Sequence, residues 1–184
     1  MTIKLRSTWT LIMKKIGHIT IPEMERVDSR DFFQVDVGHQ HSFIFSEEPY
    51  LPVQIASVDN LTRKMFLMTY QKKLETILMY GQLLQDLTVG QFLLNLDNQN
   101  DNCGPLLSTV PEIMHLVSFQ GIGIPQIPMS ANKQNIFFVR GKTGQICFVK
   151  VFWENGWCFV TEIYHKDLNL NKDSFVFLPV FERF

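Results

Sequence analysis

Cys103 is preceded by Asp101-Asn102 and followed by Gly104-Pro105. A thiol at the start of a helix is pushed toward thiolate by the helix dipole, and a thiolate within reach of a histidine is a nucleophile. His115 and His165 are the two histidines that follow it. A second candidate is His39-Gln40-His41. Residues two apart on a strand point to the same side, so these imidazoles could share a metal ion, with Glu47 as a further donor. The glycine-rich stretches come third. Gly121-Ile122-Gly123 lacks a strand before it and a helix after it. Gly141-Lys142-Thr143-Gly144 has Ile136 where a phosphate loop needs its first glycine, and a strand follows. Neither stretch meets the requirements of a nucleotide site.

The segment Asp101-Asn102-Cys103-Gly104-Pro105 resembles the nucleophile segment of papain-like bacteriocin-processing peptidases, in which Cys-Gly-Pro opens a helix. The resemblance covers these few residues. It implies a cysteine-dependent hydrolase with Cys103 as nucleophile and a downstream histidine as base. The chain departs from that pattern in three places. A helix opened at Cys103 would hold Pro111 in its interior, at a cost of about 3 kcal/mol. His165 falls just past a candidate strand rather than within it. Asp97 stands near the place of the family's oxyanion glutamine, and Gln99 lies closer to the cysteine. The His39-Gln40-His41 group resembles the first motif of cupins, but Glu47 is too distant and no glycine-rich second motif with a later histidine follows. The plainer reading is a cysteine in a turn and histidines in a loop, with no cofactor.

Composition narrows the field further. Of 184 residues, 46% are hydrophobic and 19% charged, which excludes intrinsic disorder and allows one domain with a real core. The formal net charge of -1 provides no electrostatic case for nucleic acid or an anionic membrane surface. Three cysteines at irregular spacing are no disulfide framework and suit a reducing compartment. No apolar run reaches the roughly 20 residues that span a bilayer. The run Trp9-Thr10-Leu11-Ile12-Met13 is too short for a signal-peptide core and leads into Lys14-Lys15. The expectation is a cytoplasmic protein without membrane insertion, with residues 1–12 as a flexible tail.

The elements that must position any site are organised around Ser57 to Leu87. Placed at about 100° per residue, Phe66, Leu67, Tyr70, Leu74, Ile77 and Leu78 fall in one apolar sector. Leu61, Met65, Met68, Met79 and Leu83 fall in another, roughly opposite. This reads as one long central helix, apolar nearly all round and on the order of 40 Å in length, capped by Ser57 or Asp59. Thr88-Val89-Gly90-Gln91 and Thr109-Val110-Pro111-Glu112 have the spacing of capping boxes, so two shorter helices are expected. One starts at Thr88; the other runs from Val110 to Phe119.

Strands are expected at 16–22, at 33–37 and 42–45 as a hairpin around Gly38, and at 53–55. Glu23 to Arg30 reads as a loop or one helical turn. The last fifty residues read as an antiparallel meander of four strands: Asn135 to Arg140, Ile146 to Trp153, Trp157 to Tyr164 and Ser174 to Phe181. Asn155-Gly156 is the strongest hairpin signal in the chain. As a two-residue loop it pairs Phe152 with Phe159 and puts Phe148, Phe152, Trp157 and Phe159 on one face. Trp153 and Val151 then lie on the other. Both faces are largely apolar, so the hairpin is either buried twice or presents a binding surface.

The fold expected is α+β, a single domain over 1–184, with the antiparallel sheet packed on the long helix and the two shorter ones. The function expected is a non-enzymatic adaptor or chaperone-like module, a subunit of a larger hetero-complex or a homo-oligomer. Phe148, Trp153, Trp157 and Phe159 are its candidate contacts with a protein partner, since aromatic residues dominate interface hot spots. On that reading a Trp157→Ala protein stays folded and loses its partner. The alternatives are a cysteine-dependent hydrolase using Cys103 with His115 or His165, and an inhibitor or immunity-type binding protein.

Overall fold

The structure, a computed structural model, describes residues 12–34, 40–41, 53–71, 74–97, 107–120, 129–130 and 132–180. Strand β1 spans Met13–Ile21, β2 Val27–Asp28, helix α1 Arg30–Phe33, β3 Gln40–His41 and β4 Val53–Val58. Helix α2 spans Asn60–Phe66, and strands β5, β6 and β7 span Thr69–Tyr70, Thr76–Leu83 and Leu87–Thr88. Helices α3 and α4 follow at Val89–Asp97 and Val110–Gln120. Strands β8 (Asn135–Arg140), β9 (Ile146–Trp153), β10 (Trp157–Ile163), β11 (Asn169–Leu170) and β12 (Phe175–Val180) complete the order.

Among the described residues, eight strands form one sheet in the order β1-β6-β12-β8-β9-β10-β4-β3. It is mixed rather than antiparallel: β12 runs parallel to β8, and β10 parallel to β4. The expected meander therefore breaks at its last strand. Past β10 the chain forms β11, which pairs with β7, and returns to place β12 between β8 and β6. The edge of β10 that a meander would offer to β12 is taken by β4.

The long central helix does not form. Its first turns are α2, where Asp59 accepts a hydrogen bond from the Thr62 N–H as the cap. Its second half is β6, paired on both sides by β1 and β12. The two opposed apolar sectors have a different cause. Leu78 and Tyr80 face one side of the sheet, Met79 and Leu83 the other, and both sides are covered. A strand buried on both faces is an unbroken apolar run, and such a run on a helical wheel is apolar all round. Gly81 suits the strand: a Cβ there would lie 2.8 Å from the Lys14 carbonyl oxygen and 2.9 Å from Met13 Cγ.

The two capping boxes do start helices. In α3 the Gln91 N–H donates to Thr88 Oγ1 at 3.2 Å and the Thr88 N–H to Gln91 Oε1 at 2.8 Å. In α4 the Thr109 N–H donates to Glu112 Oε2 at 2.6 Å. Of the N-terminal strands, β1 begins three residues earlier than expected and β4 runs three residues longer. Phe33 belongs to a helical turn, α1, where its ring packs inward, and not to a strand. Residues 35–39 and 42–45 of the expected hairpin lie outside the described residues, as do residues 1–11 of the expected tail. Ile12, the last residue of that expected tail, is buried in the second-face cluster instead.

Two clusters hold the layers together. On the first face α1, α2 and α4 pack on the sheet through Phe32, Phe33, Phe66 and Met114. An aromatic row crosses three strands there: Tyr80 stacks on Phe177 at 5.6 Å, and Phe177 on Phe137 at 4.7 Å. On the second face α3 and the β7–β11 ribbon cover the sheet through Leu87, Phe92 and Leu170, and Phe92 stacks on Phe138 at 5.7 Å. Fully burying a Phe contributes about 1.5–3 kcal/mol, so the buried Phe side chains, among them Phe32, Phe66, Phe92, Phe137, Phe159 and Phe177, are a main adhesive of these layers.

Candidate functional site

The β9–β10 hairpin turns through three residues, Glu154, Asn155 and Gly156, not two. Asn155 is left-handed (φ 56°), Gly156 has φ 143°, and the Glu154 N–H donates to the Gly156 carbonyl at 2.8 Å. A Cβ on Gly156 would meet the Ala56 Cβ at 2.9 Å, so glycine is also what lets β4 approach. The extra loop residue shifts every pairing by one: Trp153 faces Trp157, Val151 faces Phe159, and Phe152 faces Cys158. A one-residue slip exchanges the faces of one strand against the other.

That register decides where the four expected contact residues go. Trp157 and Phe159 join Val149 and Val151 in the first cluster, and Phe159 meets the rings of Phe32 and Phe33 edge-on. Phe148 points to the second face and packs on Phe138. All three are enclosed by the chain itself. Trp153 alone keeps open surface; it is half-buried, and its ring meets that of Trp157 at 5.4 Å and 85°.

On its second face the hairpin keeps partly covered surface beyond Phe148. The cluster under α3 ends at that residue. Past it Lys150, Phe152, Val160 and Glu162 are only partly covered. Lys150 Nζ and Glu162 Oε1 form an ion pair at 2.9 Å, and the ammonium lies 5.3 Å from the Phe148 ring centroid. The pair rims an apolar strip of Phe152 and Val160 with one charge of each sign. The alternation of Lys150, Phe152, Val160 and Glu162 was present in the sequence; only the register was missing.

The residues chosen for chemistry are dispersed. Cys103 and His39 lie outside the described residues, and so does Gly121-Ile122-Gly123. His41 belongs to β3, paired with Val53. His115 is buried in α4 beside Phe119, with ring centroids 6.0 Å apart, and burial pushes its pKa down to about 4. His165 is exposed in the loop after β10, where its Nδ1 accepts from the Asp167 N–H at 3.3 Å. That loop docks on the opposite side of the sheet from α4, giving the Lys166 and Leu168 carbonyls to the first N–H groups of α3. Gly141 to Gly144 is a tight turn whose Gly144 N–H donates to the Gly141 carbonyl at 2.8 Å, and it feeds a strand.

Cys147 and Cys158 are free and buried. They pair with Ile163 and Phe152, not with each other, and burial pushes the Cys147 thiol up. Among the described residues no three His, Cys, Asp or Glu side chains gather as a metal site, and no helix is long and apolar enough to cross a membrane. No family model, curated protein or solved structure matches this chain.

Proposed function

We propose that this protein is a non-enzymatic protein–protein interaction module of the cytoplasm, an adaptor or chaperone-like subunit of a larger complex. The observation that supports it is the second sheet face of the hairpin, where Lys150, Phe152, Val160 and Glu162 are only partly covered. Among the described residues, the cluster beneath α3 reaches Phe148 of β9 and includes none of these four. Phe152 and Val160 form the apolar centre of the docking surface, and the Lys150–Glu162 pair forms its polar edge. An apolar strip with a charged rim is the ordinary anatomy of an interface.

The test is a comparison of variants. Tagged full-length protein and a Phe152→Lys, Val160→Lys variant are taken from the native cell lysate and resolved by size exclusion. A stoichiometric complex formed by the parent and lost by the folded variant supports the reading. A parent that elutes alone, or a variant that keeps the complex, overturns it. The thiol reactivity of Cys103 then becomes the next measurement.

A further inference from the structure

Strand β1 closes one side of the main sheet, and among the described residues it has no neighbour beyond β6. It is long for an edge strand, with Lys14, Lys15, Ile16, His18 and Thr20 exposed. Its pairing with β6 skips Ile16, which is the extra residue of a β-bulge and is 40% exposed. Lys14 and Lys15 precede the bulge, and neither has an ionic partner among the described residues. Consecutive strand residues point to opposite faces, so one ammonium flanks the edge on each side.

An open edge offers a row of backbone donors and acceptors to any extended chain. Lysines and a bulge on such an edge discourage a second copy, since an in-register parallel copy would set Lys14 and Lys15 against their equivalents. The same charges favour an added strand that carries carboxylates. We propose that β1 is a strand-addition site for an extended acidic segment of a partner protein. Its backbone pairs with β1, its Glu or Asp side chains meet Lys14 and Lys15, and an apolar residue covers Ile16. The site rests on the reading of the protein as an interaction module. It uses the opposite end of the sheet from the hairpin face, with β6, β12 and β8 in between.

The experiment uses full-length, isotope-labelled protein and three capped peptides. The first is Thr-Val-Glu-Glu-Val-Thr-Val, whose consecutive Glu residues put one carboxylate on each face, the second has Lys at each Glu position, and the third is the acidic peptide N-methylated at alternate amides. The acidic peptide is expected to bind, to shift the amide signals of residues 14–20 and to slow their hydrogen exchange. Lys14→Glu with Lys15→Glu weakens it about tenfold or more, and the N-methylated peptide does not bind. Phe152→Lys leaves the peptide affinity unchanged, so the edge and the hairpin face can fail separately. The proposal is overturned by equal binding of the Lys peptide or by no binding at millimolar peptide. Shifts confined to residues 146–163, or a dimer that protects the β1 amides without peptide, overturn it as well.

Discussion

The Oγ1 atoms of Thr62 and Thr161 lie 2.7 Å apart in the core, the hydrogen bond that fastens α2 to β10. Asp59 completes the fastening. One of its carboxylate oxygens caps the helix at Thr62 N, 2.7 Å away, and the other accepts from the Thr161 N–H at 3.2 Å. Asp59→Ala removes a helix cap and leaves a strand N–H without its acceptor. A loss of about 2 kcal/mol in urea unfolding is expected. Thr161→Val should be less than additive with it, because both changes release the same helix.

Trp157 separates the two roles the hairpin aromatics were given. It is fully buried, so Trp157→Ala opens a cavity and should destabilise the protein by about 3–5 kcal/mol. Loss of partner binding by that variant would then report unfolding. Phe152→Lys, on the partly covered face, should shift the unfolding midpoint less. Comparable destabilisation by both would contradict the three-residue turn register.

His115 makes stability depend on pH. Its pKa falls from about 6.5 in the unfolded chain to about 4 in the folded one. Between those values the unfolded chain binds a proton that the folded chain does not. Stability is therefore full above about pH 6.5 and declines as pH falls toward 4, by about 3 kcal/mol. His115→Leu should flatten that part of the curve. Denaturant melts of both proteins from pH 7.5 to 4 measure the difference, and parallel curves would remove His115 as the cause.

Cys147 and Cys158 should resist alkylation in the folded protein and react together on unfolding, since both are buried and the Cys147 thiol is pushed up. Mass mapping after brief iodoacetamide treatment at pH 7.5 checks this. Rapid modification of either one in the native state would place it at the surface.

Gly81→Ala should cost about 1–3 kcal/mol, because the new methyl would press on the Lys14 carbonyl where β1 and β6 come closest. Thermal melts check the size. A neutral substitution would mean that β1 can move away from β6.

The features legible in the sequence were those decided by neighbours along the chain. The boxes at Thr88 and Thr109, the Asp59 cap and the turn at Gly141 to Gly144 rest on contacts within a few residues, and β8, β9 and β10 pair as neighbours along the chain. Decisions made by distant residues were not legible. Thr76 to Leu83 is a strand because β1 and β12 lie on its sides, more than fifty residues away in either direction. The hairpin register turned on one loop residue, Glu154, which joins Asn155-Gly156 in the turn, and that sorted Phe152 away from the face of Phe159. Of the four candidate contacts, Trp157 and Phe159 therefore join the first cluster, Phe148 joins the second, and Trp153 is half-buried.

Strand β12 has a consequence for how the molecule comes into being on the ribosome. It is the last described strand to be synthesised, yet its place is in the interior of the sheet, between β6 and β8. Until residue 180 has cleared the exit tunnel, β1–β6 and β8–β10 have no strand to join them, and the Phe177 slot between Tyr80 and Phe137 stands vacant. The nascent chain carries open edges on β6 and β8 and an unfilled aromatic row, and its assembly becomes all-or-none only once β12 is in place.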